Sequence, residues 1–519
     1  MGDASTPLTL SEARHLLRRT GFGGGKKRDV ENLEGVPRGE AIASLVEFRP
    51  SRFVPKGDDT LELQDKWIKY ILRYRKPLQE KLVVFWHDHF ASSNVEVDNI
   101  RMVQQNRTLR QHCTGLHRSA AQQGGGLPPR GNFKDFVKAI NKDPAMMQFL
   151  NTEDNLKGNP NENYSRELQE LFCLGVLDSA GQPNYTQEDV SQIARAFTGW
   201  HTHVVTEDVV KDLNLPVPPG LPRDFRVEHM AADRHDFMAN FPARGPKVIF
   251  KSTGGFGAAG KSFTVNGEGE PEIDTVIDII FEHKDTDGKN TVARYVTRRL
   301  IEYFAHPNPD LDFIDDVIAA SQFDTLFDIR ELLRAIFVDD RFYLSMAPAG
   351  PGVRKSVKFP TDYVIGTMKL LGIRPKRSDL RINDTSSGIV RQYLTDMGMT
   401  LNEPPSVFGW PWEDAWMGST RLQERYQFAV DATRAAGAGA SSVRFEKLMD
   451  LSQTDPTIIV ELALEVLQVE DQFSAADKAA LVTYLGPGPI DFLGSESTFN
   501  NKLRGLFGLI IQSPAYQLY

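Results

Sequence analysis

The sequence predicts a mainly α, multi-helical globular bundle with a small embedded β-hairpin and loop subregion. Apolar residues recur at helical spacing over most of the 519 residues, often with capping and stop residues at the segment ends. Hydrophobic residues make up 40% of the chain and charged residues 25%, which is ordinary for a packed globular protein. Residues 204–269 depart from this pattern because they are rich in proline and glycine.

The first predicted helices carry their own boundary residues. The segment Thr9-Leu10-Ser11-Glu12 has capping-box spacing, and Gly21 and Gly23 supply a C-terminal stop. Two helices in succession, the second beginning at Pro77, are predicted from apolar positions at Trp67, Ile68, Ile71, Leu72, Leu78, Leu82, Phe85 and Trp86.

The most clearly bounded helix begins after Thr186, whose side chain is placed to cap the amide of Asp189. Tyr185 and Val190 are spaced as a hydrophobic staple around the same boundary. Apolar periodicity predicts further helices over about 273–283, 291–304, 326–337, 357–371, 421–435, 457–467, 475–484 and 502–511.

The irregular stretches divide the chain. Short β-like runs at Lys247 to Phe250 and at Ser262 to Val265 flank a glycine-rich loop. We therefore expect an N-terminal helical region over 1–203, a loop and hairpin subregion over 204–272, and a C-terminal helical region over 273–519, joined in one integrated domain. Residues 114–131 lack periodicity and have the composition of a surface excursion.

Charge and composition exclude several classes of protein. The net charge of −9 gives no attraction to phosphate backbones or anionic lipids, so nucleic acid is not an expected partner. Cys113 and Cys173 are too few for a disulfide framework or a cysteine-rich zinc site, and they leave the compartment open. No stretch approaches the roughly 20 apolar residues of a membrane span, and no export signal begins the chain. The localisation therefore stays unknown.

The most specific string match is the glycine-rich segment from Gly255 to Ser262, which meets the phosphate-loop pattern. That chemistry needs a helix to begin at the Lys261-Ser262 pair, since the helix end supplies amides and partial positive charge. β-branched residues, glycines and a proline follow instead. The segment is better interpreted as the tip of a hairpin, and a nucleotide-binding function is the less favoured interpretation.

Histidines form the next group of candidate residues. His87 and His89 stand two residues apart at the end of an apolar helix, and His201 and His203 repeat this spacing. Both pairs offer metal ligands. On a continuous helix, however, residues two apart point roughly 200° away from each other, so a pair shares an ion only where the helix has ended. His235 and Asp236 add a further pair on the irregular segment.

A carboxylate-rich segment runs from Asn161 to Phe172. On a helical wheel its buried face holds Tyr164, Leu168, Leu171 and Phe172, and the opposite face holds Glu162, Arg166 and Glu170 as a solvated charge ladder. Glu167 and Asn163 flank the apolar stripe, where a partly desolvated carboxylate acquires a raised pKa or binds a metal. Glu167 is therefore the first candidate acid.

An aromatic and proline-rich segment extends from Pro404 to Trp416. Its rings supply apolar area with polar handles, as in the lining of a ligand cleft. A rigid loop packed across helices explains the same composition equally well. The candidate cleft residues are Asn163, Arg166, Trp200 and Trp410.

A set of motifs resembles a known family. They are HLLRRTGFG, FWHDHF, NFKDFVKAINKDPAMMQFL, NENYSRELQELFCLGV, YTQEDVSQIARAFTGW, DRHDF, LLRAIFVDDRF and PPSVFGWPWEDAW. In this order, from about His15 to the C-terminal SPAYQLY, they resemble the large bacterial group called the domain of unknown function 1800 family. The excursion at 114–131 departs from the family, which usually runs directly into the NFKDF-like motif.

The resemblance implies site positions but no reaction. The family's motif positions fall on His87, His89, Asn161, Glu162, Asn163, Arg166, Glu167, Glu170, Trp200, His235, Asp236, Pro405, Gly409 and Trp410. Family members are often encoded beside a sulfatase-like, exported group, the domain of unknown function 1501 family. This association implies a partner of that kind and a role at the cell envelope.

Two hypotheses follow. The first is a metal-dependent enzyme, hydrolytic or oxidative, in which a divalent ion is held by His87, His89 and His235, with catalytic roles for Glu167, Asp236 and Glu162. The second is a noncatalytic envelope or assembly protein whose polar motifs connect helices and whose aromatic segment binds a partner. The enzyme hypothesis requires these residues to converge on one solvent-reachable place.

Overall fold

The fold is known from a computed structural model. It describes residues 2–24, 27–48, 51, 59–73, 76–114, 132–206, 225–231, 233–236, 245–263, 270–346, 348–349, 353–375, 389–434 and 443–519. Over these ranges the chain forms 23 α-helices and two small antiparallel sheets of two strands each. The predicted mainly α fold is confirmed. No helix in these ranges has the length and apolar composition needed to cross a membrane.

The helices before the strands build the half of the molecule that carries most motifs. They are α1 (Leu10–Thr20), α2 (Lys27–Glu31), α3 (Arg38–Val46), α4 (Thr60–Arg73), α5 (Pro77–His89), α6 (Asn99–His112), α7 (Phe133–Asn141), α8 (Pro144–Phe149), α9 (Asn163–Glu167) and α10 (Gln187–Ala196). A π-helix, Leu168–Cys173, continues α9 directly. The predicted excursion lies outside the described residues from position 115 to position 131.

Two short hairpins follow α10. Strand β1 (Trp200–Val205) pairs antiparallel with β2 (Phe225–Met230), and β3 (Val248–Ile249) pairs antiparallel with β4 (Lys261–Ser262). The first strand thus begins just before the predicted boundary at 204. A strand also stands at Lys261–Ser262, where a phosphate loop requires the start of a helix.

The helices after the hairpins complete the fold. They are α11 (Glu270–Ile280), α12 (Thr291–Phe304), α13 (Leu311–Ser321), α14 (Phe323–Leu326), α15 (Ile329–Val338), α16 (Pro360–Leu370), α17 (Val390–Asp396), α18 (Ser419–Thr433), α19 (Pro456–Leu467), α20 (Ala475–Leu485), α21 (Glu496–Thr498), α22 (Arg504–Gln512) and α23 (Pro514–Gln517). Short 3₁₀ turns and a second π-helix, Phe499–Leu503, connect some of them.

The predicted caps form as expected. Thr9 and Glu12 make both hydrogen bonds of a capping box at the start of α1. At α10 the amide of Asp189 donates to Thr186 Oγ1 over 3.3 Å, and the Thr186 amide donates back to the Asp189 carboxylate over 2.7 Å. Local sequence therefore sets these two helix starts.

Helix α5 runs through the interior. Each of its residues from Leu78 to His89 is buried, including the polar ones. The hydrophobic cluster around it includes side chains from Leu8 to Tyr516. A motif on α5 is therefore placed in the core, where its polar side chains need hydrogen-bond partners from other elements.

Asp143 caps α8 from a fully buried position and should make stability depend on pH. Its carboxylate accepts hydrogen bonds from the amides of Ala145 and Met146, at 3.0 and 3.3 Å. Burial nevertheless raises the pKa of Asp143 from 3.8 to about 7. The folded protein therefore holds a proton that the unfolded chain releases near pH 4, and this stabilisation is lost as the pH rises towards 7.

The variant Asp143→Asn keeps a capping oxygen but does not titrate. We expect the free energy of unfolding of the wild type, relative to this variant, to fall between pH 4 and 7, by at most roughly 1.4 kcal/mol per pH unit. Urea unfolding of both proteins over this range measures the difference. A difference that stays constant with pH would show that Asp143 titrates normally in the folded protein.

Candidate functional site

The histidine motif of α5 faces two different environments. Because the helix continues to His89, the two imidazoles point apart. The His87 ring packs 5.5 Å from Trp67 and 5.4 Å from Trp410, measured between ring centroids. His89 instead lies 4.6 Å from the Phe90 ring. Burial lowers the pKa of His87 to about 4 and that of His89 to about 3, so both rings are neutral at neutral pH.

A hydrogen bond to the π-helix explains why the polar side chain of His89 lies in the core. A π-helix shifts the backbone hydrogen bonds by one residue relative to an α-helix, and such turns are frequent at functional sites. Here the carbonyl of Phe172 accepts a hydrogen bond from His89 Nε2 over 3.1 Å, and the carbonyl of Leu171 accepts one from the Tyr295 hydroxyl over 2.9 Å. His89 and Tyr295 therefore connect α5 and α12 to the π-helix.

Asp88 holds the aromatic segment against the end of α5. Its carboxylate accepts hydrogen bonds from the Trp410 amide over 2.6 Å and from Trp412 Nε1 over 2.8 Å. Gly409 has φ +82°, and a Cβ there would lie 2.4 Å from Asp88 Oδ1, so the close approach requires glycine. Burial raises the pKa of Asp88 to about 6 although Arg299 opposes the shift. The segment is thus fixed in place, with Phe408 65% exposed beside it.

Arg299 lies at the solvent-reachable edge of this arrangement. Its guanidinium stands 4.1 Å above the Trp412 ring. It is 3.7 Å from the Asp88 carboxylate and 3.8 Å from that of Glu302, and it makes no hydrogen bond to the residues that the structure describes. Its side chain is 25% exposed and that of Glu302 is 19% exposed. We call Asp88, Tyr295, Arg299, Glu302 and Trp412 the junction site.

Glu302 in the junction site and Glu167, which directly precedes the π-helix, have perturbed acidity. Burial raises the pKa of Glu302, with Arg299 and Arg298 opposing the shift. Burial and then the Glu170 carboxylate raise the pKa of Glu167, with Arg166 opposing. No described residue donates a hydrogen bond to either carboxylate. Half-buried acids without such donors are candidates for proton transfer.

The other predicted residues on α9 and β1 connect secondary structure elements. Glu162 accepts hydrogen bonds from Ser191 and from Gln187 Nε2, and Arg166 donates to Gln187 Oε1 over 2.9 Å, so α9 is attached to α10. Asn163 is exposed at the start of α9. Trp200 is buried on β1, with the Lys142 ammonium 6.0 Å from its ring.

His235 and Asp236 belong to a separate buried network. His235 Nδ1 donates to the Thr198 carbonyl over 2.7 Å, and its Nε2 lies 3.3 Å from the Glu272 carboxylate. Asp236 pairs with Arg195 over 2.9 Å, and Glu272 also pairs with Lys247. These groups fasten the hairpin subregion to α10 and α11. In the described ranges no three His, Cys, Asp or Glu residues form a group able to hold a metal ion.

The structure therefore brings together only part of the predicted site. His87 contacts Trp410 near the end of α5, whereas His89 contacts the π-helix, which Glu167 directly precedes. Sequence reasoning missed Asp88, Tyr295, Arg299 and Glu302. The last three stand at i, i+4 and i+7, and so lie on one face of α12.

A family model described as "Protein of unknown function (DUF1800)" matches residues 15–518. No curated protein and no solved structure matches the chain.

Proposed function

Since the chain belongs to the domain of unknown function 1800 family, whose description names no activity, we propose its function from the site: it is an acid–base hydrolytic enzyme acting at the junction site. The observation that carries this proposal is the state of Glu302. Its carboxyl group is mostly buried and has a raised pKa, yet no described residue hydrogen-bonds to it. Its ion pair with Arg299 is long, at 3.8 Å, and does not offset the effect of burial on the carboxyl group, so we assign Glu302 a chemical role.

Comparison with the structural carboxylates of this protein supports the assignment. Asp88, Asp143 and Asp189 each accept hydrogen bonds from backbone or indole N–H groups. Glu162 and Glu272 accept them from side chains of neighbouring elements. Glu302 and Glu167 lack such donors among the described residues, and both have a raised pKa.

Each residue has a distinct role in the proposed reaction. Protonated Glu302 donates its proton to the leaving oxygen of the substrate, and Glu167 as carboxylate takes a proton from the attacking water. Tyr295 links the segments that carry the two carboxyl groups. Its hydroxyl donates a hydrogen bond to the π-helix that follows Glu167, and its own helix, α12, carries Glu302 one turn beyond Arg299. Asp88 positions Trp412, and Trp412 supports Arg299.

The test compares hydrolysis by wild type, Glu302→Gln and Glu403→Gln over a panel of chromogenic carboxylic, phosphoric and sulfuric esters and glycosides. Glu403 is a matched control, because it is also half-buried with a raised pKa but accepts a hydrogen bond from Gln64 over 2.9 Å. We expect the Glu302 variant alone to lose turnover. Equal turnover in all three proteins would refute the proposal.

The proposal also includes a metal-dependent form of the same enzyme, which would hold the predicted divalent ion. His87, His89 and His235 were expected as its ligands, with Glu167 beside them. The imidazoles of His87 and His89 are neutral but point apart on α5, and His235 lies in a separate network, so the three would bind one ion only after a rearrangement. Elemental analysis of the purified protein, with His87→Ala and Glu167→Ala at matched stability, measures the metal content. Near-stoichiometric metal lost in both variants would support the ion, and metal-free folded protein after reconstitution would contradict it.

The alternative function is a noncatalytic envelope or assembly protein that works with a sulfatase-like partner of the domain of unknown function 1501 family. The exposed Phe408 ring favours it, because the adjoining backbone is fixed by Asp88 and the ring is left in solvent. Under this alternative, Phe408→Ser should weaken binding of a purified partner by at least about tenfold. Titration calorimetry with Leu344→Ser, another exposed apolar residue, as control measures it, and unchanged affinity excludes this surface.

A further inference from the structure

We propose that Arg299 is the receptor for an anionic oxygen group of the substrate, such as a phosphate, a sulfate or a carboxylate. This inference rests on the proposed function and specifies the substrate class of the junction site. It follows from the contacts of Arg299, from its orientation and from the charges around it.

The contacts of Arg299 differ from those of other arginines in the interior. Arg294 donates to three carboxylates, those of Asp285, Asp287 and Asp315. Arg110 makes a two-point pair with Glu80. Arg299 donates no hydrogen bond to any described residue, although a guanidinium carries five N–H donors. None of its nitrogen atoms is fully buried, and the side chain is 25% exposed, so a ligand can reach them.

The orientation of Arg299 is fixed in advance. Its guanidinium stands 4.1 Å above the Trp412 ring, whose Nε1 is held by Asp88 over 2.8 Å. Stacking uses the face of the planar group and leaves its N–H edge for in-plane hydrogen bonds. A planar donor edge matches paired oxygen atoms, which is why arginine is preferred for two-point recognition of carboxylate and phosphate.

The surrounding charges permit an anion. Asp88 and Glu302 stand 3.7 and 3.8 Å from Arg299, beyond hydrogen-bond distance. Arg298, one turn before Glu302 on α12, adds a positive charge near that carboxyl group. The junction site therefore holds one cation and two carboxyl groups, with a second cation nearby. A bound anion exchanges long ion pairs for shorter charge-assisted hydrogen bonds, and protonated Glu302 carries no charge that opposes its binding.

The test measures binding without turnover. Titration calorimetry follows sodium phosphate, sodium sulfate and sodium acetate binding at an ionic strength held constant with sodium chloride. We expect Arg299→Gln to weaken binding by at least about tenfold, and Arg299→Lys, which keeps the charge without the planar donor edge, to weaken it several-fold. Arg330→Gln should bind like wild type, since Arg330 has a similar side-chain exposure of 28% but pairs with Asp328.

The three anions distinguish the sources of the oxygen group. If the protein binds phosphate or sulfate more tightly than acetate, the anionic group of the substrate is tetrahedral. If it binds acetate more tightly, that group is a carboxylate. The inference is overturned if none of them binds above the chloride background, or if Arg299→Gln binds like wild type. Should Arg299→Gln fail to fold, Arg299→Lys decides, and binding equal to that of wild type in that variant also overturns the inference. Hydrolysis that depends on Glu302 without any anion binding would remove this inference and leave the proposed function intact.

Discussion

Replacing Arg110 with methionine should reduce the free energy of unfolding by about 3–5 kcal/mol, because it leaves a buried carboxylate without its cation. Arg110 on α6 and Glu80 on α5 have side chains 1% and 0% exposed. Two parallel hydrogen bonds, of 2.5 and 2.7 Å, join them. Since α5 carries the His87 to His89 motif, this pair also fixes the helix on which the site is built.

The double variant Glu80→Met and Arg110→Met shows how much of the stability lost in a single variant comes from leaving one buried charge unpaired. Removing both charges should restore most of the lost stability, because two apolar side chains of similar volume fill the space without an unpaired charge. Urea unfolding of the wild type, both single variants and the double variant completes the cycle. Single variants that unfold like the wild type would contradict the role of this pair in holding α5.

The second large effect concerns turnover. Glu302→Gln keeps the size of the side chain but removes the transferable proton, so kcat should fall on the order of 10² to 10⁴-fold, as for a general acid. Stability should change little, because no described residue hydrogen-bonds to this carboxylate. A loss of activity without a change in melting temperature therefore separates a chemical role from a structural one.

The sequence predicted most of the helical fold because local patterns determine it. The expected helix over 291–304 matches α12, and the capping residues Thr9 and Thr186 begin α1 and α10 as expected. Apolar spacing and caps act within one or two turns, so a single chain segment contains the information. The π-helix was not predictable in this way, because LQELFC has the same apolar spacing in either helix type.

The candidate site was predictable only in part, because it depends on contacts distant in sequence. Asp88, Arg299 and Trp412 meet although more than 100 residues separate each from the next. On the sequence alone, Arg299 and Glu302 look like the solvated face of a helix. The sequence suggests that His235 and Asp236 are metal ligands, whereas the structure places them in a buried ion network. Such a network needs the same residue types as a metal site, so the sequence alone does not distinguish the two.

Most motif residues hold the helices together, and we propose that Glu302, mostly buried and without a hydrogen-bond donor among the described residues, performs the chemistry. The most direct measurement is kcat of Glu302→Gln relative to Glu403→Gln on the best substrate of the panel, with melting temperatures measured in parallel. We predict a loss on the order of 10²-fold or more in the first variant and near wild-type turnover in the second, at equal stability. Turnover by Glu302→Gln within about twofold of wild type would contradict the account and favour the assembly function.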